Sequence, residues 1–94
     1  MFGNTFTFDP DKDSRNVLKH GMPLRNGVAV FESPNKLTLI SARTDEERLM
    51  DIAEVGGQVR VLVYVVRSAQ IRFISLRPAS KQERLLYERW KSKT

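Results

Sequence analysis

Residues 59–66 constrain this chain more than any other stretch. Val59, Val61, Val63 and Val65 alternate with Leu62, Tyr64 and Val66. An extended segment with that content is apolar on both faces, so it predicts a central strand covered from both sides. Residues 71–76, after a turn over residues 67–70, read as its antiparallel neighbour, and Pro78 stops that strand. On the other side, residues 48–55 form a further strand, with Gly56-Gly57 as the hairpin turn. Residues 37–40 add a short strand, joined to it by a polar loop over residues 41–46.

Helix signals flank this meander. Asp9 is an N-cap, Pro10 suits the first helical position, and Asp11 and Asp13 favour the positive end of the dipole. The helix runs to His20, where Gly21 supplies a left-handed C-cap and Lys19 and His20 complement the negative end. Pro23 opens a second, short helix with Leu24, Val28 and Phe31 as its buried stripe; Gly27 weakens it and Ser33-Pro34 ends it. Ser80 and Glu83 form a capping box for a last helix to about Lys91, with Leu86 and Trp90 packing at i, i+4. With an opening strand over residues 5–8, the order is β-αα-ββββ-α. That predicts a small α+β fold: an antiparallel meander with two N-terminal helices and one C-terminal helix, in one domain over residues 1–94.

Composition narrows the chemistry. Ninety-four residues without cysteine exclude a disulfide framework, a thiol nucleophile and a thiolate metal site, and the single histidine makes a His-based metal site unfavourable. No metal and no cofactor is expected. No apolar run reaches the ~18–20 residues of a bilayer span, and the N-terminus lacks a signal-peptide layout, so a soluble, cytoplasmic protein is expected. Charge is unevenly placed. Residues 68–94 carry seven basic and two acidic side chains, which accounts for the whole formal charge of +5; residues 1–67 balance to zero. A localised basic segment fits either a polyanionic partner or a solubilising tail.

Three polar clusters are candidates for function. Lys12, Asn16 and Lys19 share one stripe of the first helix, with His20 one turn beyond Asn16. Such a set suits phosphate binding and proton movement, or simply a solvated face. Arg72 interrupts an apolar strand, and Arg77 follows five residues later. A regular strand points the two to opposite faces, so they converge only if the chain turns or bulges near Pro78. A structural role for Arg72 would be an ion pair with Asp51 or Glu54. On the last helix, Arg84, Tyr87, Glu88 and Lys91 lie at i, i+3, i+4, i+7. Tyr87 offers a face for base stacking or covers the core, and the i, i+4 spacing of Arg84 and Glu88 also fits a surface pair.

The ordered motifs also resemble a known family. The string F-x-F-D-P-x-K-x-x-x-N-x-x-K-H-G from Phe6 to Gly21 resembles the opening of the BrnT toxins of type II toxin–antitoxin modules. The ending R-x-I-S-x-R-x-A-x-x-x-E-R-x-x-Y-E, from Arg72 to Glu88, is similar to that family's closing signature. Pro23 to Pro34 with Val30-Phe31, and Asp45-Glu46-Glu47-Arg48, fall where its pattern expects them. The chain departs from the pattern at Phe8 (often Trp), Arg25-Asn26 (acidic), Ala53 (Gly) and Leu76 (Ala). The resemblance implies a RelE-like α+β fold, ribonuclease activity that blocks translation, and a cognate DNA-binding, BrnA-like antitoxin, assembled as a homodimer or a toxin–antitoxin heterotetramer. By position it points to Lys19, His20, Arg72, Arg77, Tyr87 and Glu88.

Metal-free RNA cleavage needs the ribose 2′-OH deprotonated, the phosphorane charge neutralised and the 5′-oxygen protonated. The candidate catalytic residues are therefore Arg72 and Arg77 for transition-state charge, and His20 or Glu88 for proton transfer. Lys12, Lys19, Arg84 and Tyr87 are the candidate RNA-binding residues. The alternative is a non-catalytic basic module that binds RNA or a partner protein.

Overall fold

A computed structural model describes residues 5–43 and 46–93. The elements are β1 (Thr5–Thr7), α1 (Pro10–His20), a 3-10 turn (Leu24–Asn26), α2 (Gly27–Phe31), β2 (Leu37–Arg43), β3 (Glu46–Val55), β4 (Gln58–Arg67), β5 (Gln70–Pro78) and α3 (Lys81–Ser92). Five strands form one sheet in the order β1-β5-β4-β3-β2. The four-strand antiparallel meander is as expected, with β4 at the centre, where Val61, Leu62 and Val65 are fully buried. The sheet as a whole is mixed, not antiparallel: β1 pairs in parallel with β5. The chain between them passes through every other strand, long enough to return in the same direction, which a hairpin cannot do.

Local signals account for most element ends. Asp9 accepts the Asp11 N–H at 2.8 Å, Pro10 opens α1, and Gly21 closes it at φ +70°. The Ser80–Glu83 capping box is formed from both sides. Gly56 and Gly57 take the two positive φ angles of the β3–β4 turn. The β4–β5 turn demands the same geometry but places Ser68 and Ala69 there, at φ 46° and 67°. The expected loop over residues 41–46 is shorter than predicted, since β2 runs to Arg43 and β3 begins at Glu46, which pairs with it; residues 44 and 45 lie outside the described residues.

Both helix stripes need correction. In the second helical segment the buried positions are Leu24, Gly27 and Val30, while Val28 and Phe31 lie at the core margin. Its first turn is 3-10, with three residues per turn, so the i, i+3, i+6 face meets the sheet. Gly27 is there for proximity: a Cβ would lie 2.6 Å from Leu62 Cδ1. On α3, Leu86 is 42% exposed and Tyr87, not Leu86, packs with Trp90 over Ile52 and Val61. The Ala79 N–H bond to Val59 O fixes where α3 begins, and hence which side faces the sheet. Tyr87 can be buried because its hydroxyl donates to Asn35 O at 2.8 Å and accepts the Glu54 N–H at 3.4 Å.

Among the described residues one charge lies in the core. Asp51, fully buried, accepts from Lys36 Nζ (2.8 Å), Thr38 Oγ1 (2.6 Å) and the Tyr64 hydroxyl (3.1 Å). Burial first, and then the Asp51 charge, raise the Tyr64 pKa and keep the phenol protonated as a donor. Lys36 also lies 4.0 Å from the Phe31 ring centroid.

Candidate active site

The site begins with an incomplete strand. β1 pairs with β5 only as far as Arg72, so the remaining edge of β5 needs other partners. Asn16 on α1 provides them. Its Oδ1 accepts the Leu76 N–H at 3.0 Å, and its Nδ2 donates to Leu76 O and Met22 O, each at 2.8 Å. The buried amide thus takes the place of a neighbouring strand's backbone and holds α1 against the sheet edge. It is fully engaged there, so Asn16 serves the fold, while the residues around it on the helix are left to face outward.

Those residues form a cleft of about 390 Å³ lined by Lys12, Arg15, Lys19 and His20 from α1 and by Ile74, Ser75 and Arg77 from β5. The structure therefore brings together four of the sequence candidates: Lys12, Lys19, His20 and Arg77. Among the described residues no carboxylate lines the cleft, and no group of three His, Cys, Asp or Glu is placed to hold a metal. His20 is held below its ordinary pKa, first by partial burial and then by the charges of Lys19 and Arg77. Its imidazole is neutral at neutral pH and able to accept a proton.

Arg77 has a second attachment. Its Nη1 and Nη2 meet Glu83 Oε1 and Oε2 at 2.7 and 2.8 Å, a fork-to-fork pair. Those bonds raise the Arg77 pKa and, outweighing burial, hold the Glu83 carboxyl down at about 2. The same Glu83 closes the capping box, so the guanidinium is fixed to the first turn of α3 at the cleft margin.

A bulge decides which face Arg72 shares. Val63 pairs with Ser75 but Tyr64 pairs with Phe73, leaving Ile74 as an extra residue on β5. The slip places Arg72, Ser75 and Arg77 on one face, opposite Val65, Val63 and Val61. Convergence arises at Ile74, earlier than the expected position near Pro78. Arg72 and Arg77 remain four paired positions apart, roughly 13 Å along the strand. The suggested partners of Arg72 are engaged elsewhere: Asp51 pairs with Lys36, and Glu54 lies 3.7 Å from Lys91.

Other candidates lie apart from this cleft. Tyr87 and Glu88 border a separate hollow with Glu54 and Lys91. Tyr87 is 2% exposed, which leaves no ring face for stacking. Arg84 lies against the β3–β4 turn region, donating to Ala79 O at 3.2 Å, and no ion pair joins it to Glu88. Sequence reasoning missed Arg15 and Ser75. Arg15 is three residues from Lys12 and four from Lys19, so helical spacing already placed it on that side; Ser75 carried no such signal, because the bulge sets its face.

In this small α+β domain a histidine stands among cations in an open cleft, a lining whose charge suits an anionic ligand. The family model described as the ribonuclease toxin, BrnT, of type II toxin–antitoxin systems matches residues 8–83, and the chain belongs to that family. Comparison with curated proteins returns no match.

Proposed function

We propose that the chain is the toxin of a type II module, a metal-independent endoribonuclease whose reaction centre is the cleft between α1 and β5. The observation that carries this reading is the placement of His20 in one cleft with Lys12, Arg15, Lys19 and Arg77, where burial and the neighbouring charges lower its pKa. His20 takes the 2′-OH proton as the 2′-oxygen attacks phosphorus. The bond from phosphorus to the 5′-oxygen breaks, a 2′,3′-cyclic phosphate forms, and the leaving oxygen takes a proton from solvent in this open cleft. Arg77, oriented by Glu83, faces the charge that builds on the phosphorane, and Lys12, Arg15 and Lys19 hold the phosphates. Arg72, on the same sheet face, is set for a phosphate further along the chain. Glu88 borders the other hollow and is given no part in this centre, and Tyr87 and Arg84 act on the fold or on another surface. RNA cleavage of this kind accounts for translation inhibition in the cytoplasm, relieved by a BrnA-like DNA-binding antitoxin that binds the toxin.

The test is incubation of the purified protein with RNA in EDTA beside the His20→Ala, Arg77→Ala and Glu88→Gln variants. The expected result is cyclic-phosphate products from the wild type and Glu88→Gln, with His20→Ala and Arg77→Ala slowed by about 100-fold or more. Undiminished cleavage by both of those variants overturns the reading. Salt-sensitive RNA binding without products from the wild type would favour the non-catalytic module.

A further inference from the structure

The cleft does not end at β5. Ile74 and Ser75 also line a second hollow, of about 310 Å³, which crosses the same sheet face to Ser41, Arg48, Met50 and Val63. The two hollows thus adjoin at Ile74 and Ser75, cationic on the α1 side and different in character on the β2–β3 side. There, Met50, Val63 and Ile74 give an apolar floor, and Ser41, Ser75 and Arg48 supply hydroxyls and a guanidinium around it. Arg48 forms no ion pair with any other described residue. α3 reaches over Ile52 and Val61 but leaves this end of the face open.

We infer that this second hollow is a nucleobase subsite, taking the base next to the phosphate held in the cationic cleft and setting the base preference of cleavage. It rests on the proposed function, because the cleft supplies the phosphate to which the base is joined. A heterocycle has two apolar faces and a polar edge. The Met50 thioether and the aliphatic floor suit the faces, the planar Arg48 guanidinium stacks or pairs with the edge, and Ser41 and Ser75 donate or accept there. A site for phosphate alone would need no apolar floor, and among the described residues Arg48 is the single cation lining this hollow.

The test uses RNA oligonucleotides that carry a 2′-O-methyl group at the cleavage site, so that binding is read without reaction. One series has all four bases next to that site and one has an abasic residue there. The wild type is expected to lose about fivefold in affinity for the abasic oligonucleotide. Arg48→Ala should bind intact and abasic strands alike. Arg48→Lys should keep the salt dependence of binding but lose the base preference, a split that a merely structural role would not produce. Equal wild-type affinity for intact and abasic strands, or full base preference in Arg48→Ala, overturns the subsite. If Arg48→Ala keeps its base preference but loses affinity for the antitoxin, the hollow is a protein interface and the inference falls. A wild type that binds with an Arg48-dependent preference yet does not cleave unmodified RNA upholds the subsite and overturns only the catalytic reading.

Discussion

Asn16 and Leu76, sixty residues apart in sequence, pair as two strand residues would: one side-chain amide both accepts from and donates to a single backbone unit. The amide completes the edge of β5 and in the same contact sets the distance at which Lys12, Arg15, Lys19 and His20 face Ser75 and Arg77. Fold and site therefore share one joint.

Removing that joint should be costly. Asn16→Ala leaves the Leu76 N–H and the Leu76 and Met22 carbonyls without their partner in a buried position, and we expect a loss of about 2–3 kcal/mol. Urea unfolding monitored by circular dichroism measures it. A change within 0.5 kcal/mol, roughly that of an ordinary surface substitution, would show that the edge is satisfied in another way.

His20 should give the pH–rate profile its acidic limb. A lowered pKa means the imidazole loses its proton below 6.5, so activity rises with pH and reaches its plateau before the point at which a free histidine would do so. Lys19→Ala removes one of the charges responsible and should move the inflection upward. Stability follows the same sign: the unfolded chain takes up the His20 proton more readily, so folding weakens as pH falls through about 6.5. An inflection that stays fixed in Lys19→Ala would remove Lys19 from this role.

The Arg77–Glu83 pair predicts a different pH window. Glu83 titrates near 4.5 when unfolded and at about 2 when folded. Its stabilisation is therefore complete above the unfolded value and declines as pH falls from there toward about 2. Glu83→Gln should cost about 1–2 kcal/mol at pH 7 and flatten the stability curve between those limits. Thermal melts of the wild type and Glu83→Gln across that range test both statements; parallel curves would refute the assignment.

Ser68 and Ala69 occupy a turn that glycine or asparagine would fill with less strain. Replacing them by Asn-Gly, the favoured pair for two positive φ angles, should stabilise the protein by about 1 kcal/mol without touching the cleft. Raised stability with unchanged RNA cleavage is the expected result, and a lower melting temperature would show that the existing side chains hold the turn in some other way.

Much of the fold is legible in the sequence because its signals are local. The Asp9-Pro10 start, the Gly21 stop, the Gly56-Gly57 turn and the Ser80–Glu83 box each act within a few residues, and each appears where it is read. The doubly apolar segment likewise dictates a central strand whatever surrounds it. The helix stripes are less legible. A 3-10 first turn shifts the face that begins at Leu24, and the hydrogen bonds of Tyr87 let it displace Leu86 from the core.

The candidate site is less legible still. The sequence by itself determined the residue types, a histidine amid cations on one helix and two arginines on one strand, together with the family motifs that order them. Only the tertiary structure decided which of these meet. A single extra residue at Ile74 turns Ser75 and Arg77 to the face of Arg72, and a long-range amide contact brings α1 beside them. Neither leaves a local trace, because strand register is fixed by the pairing of β4 with β5, and an amide's partner by whatever backbone the folded chain brings within about 3 Å.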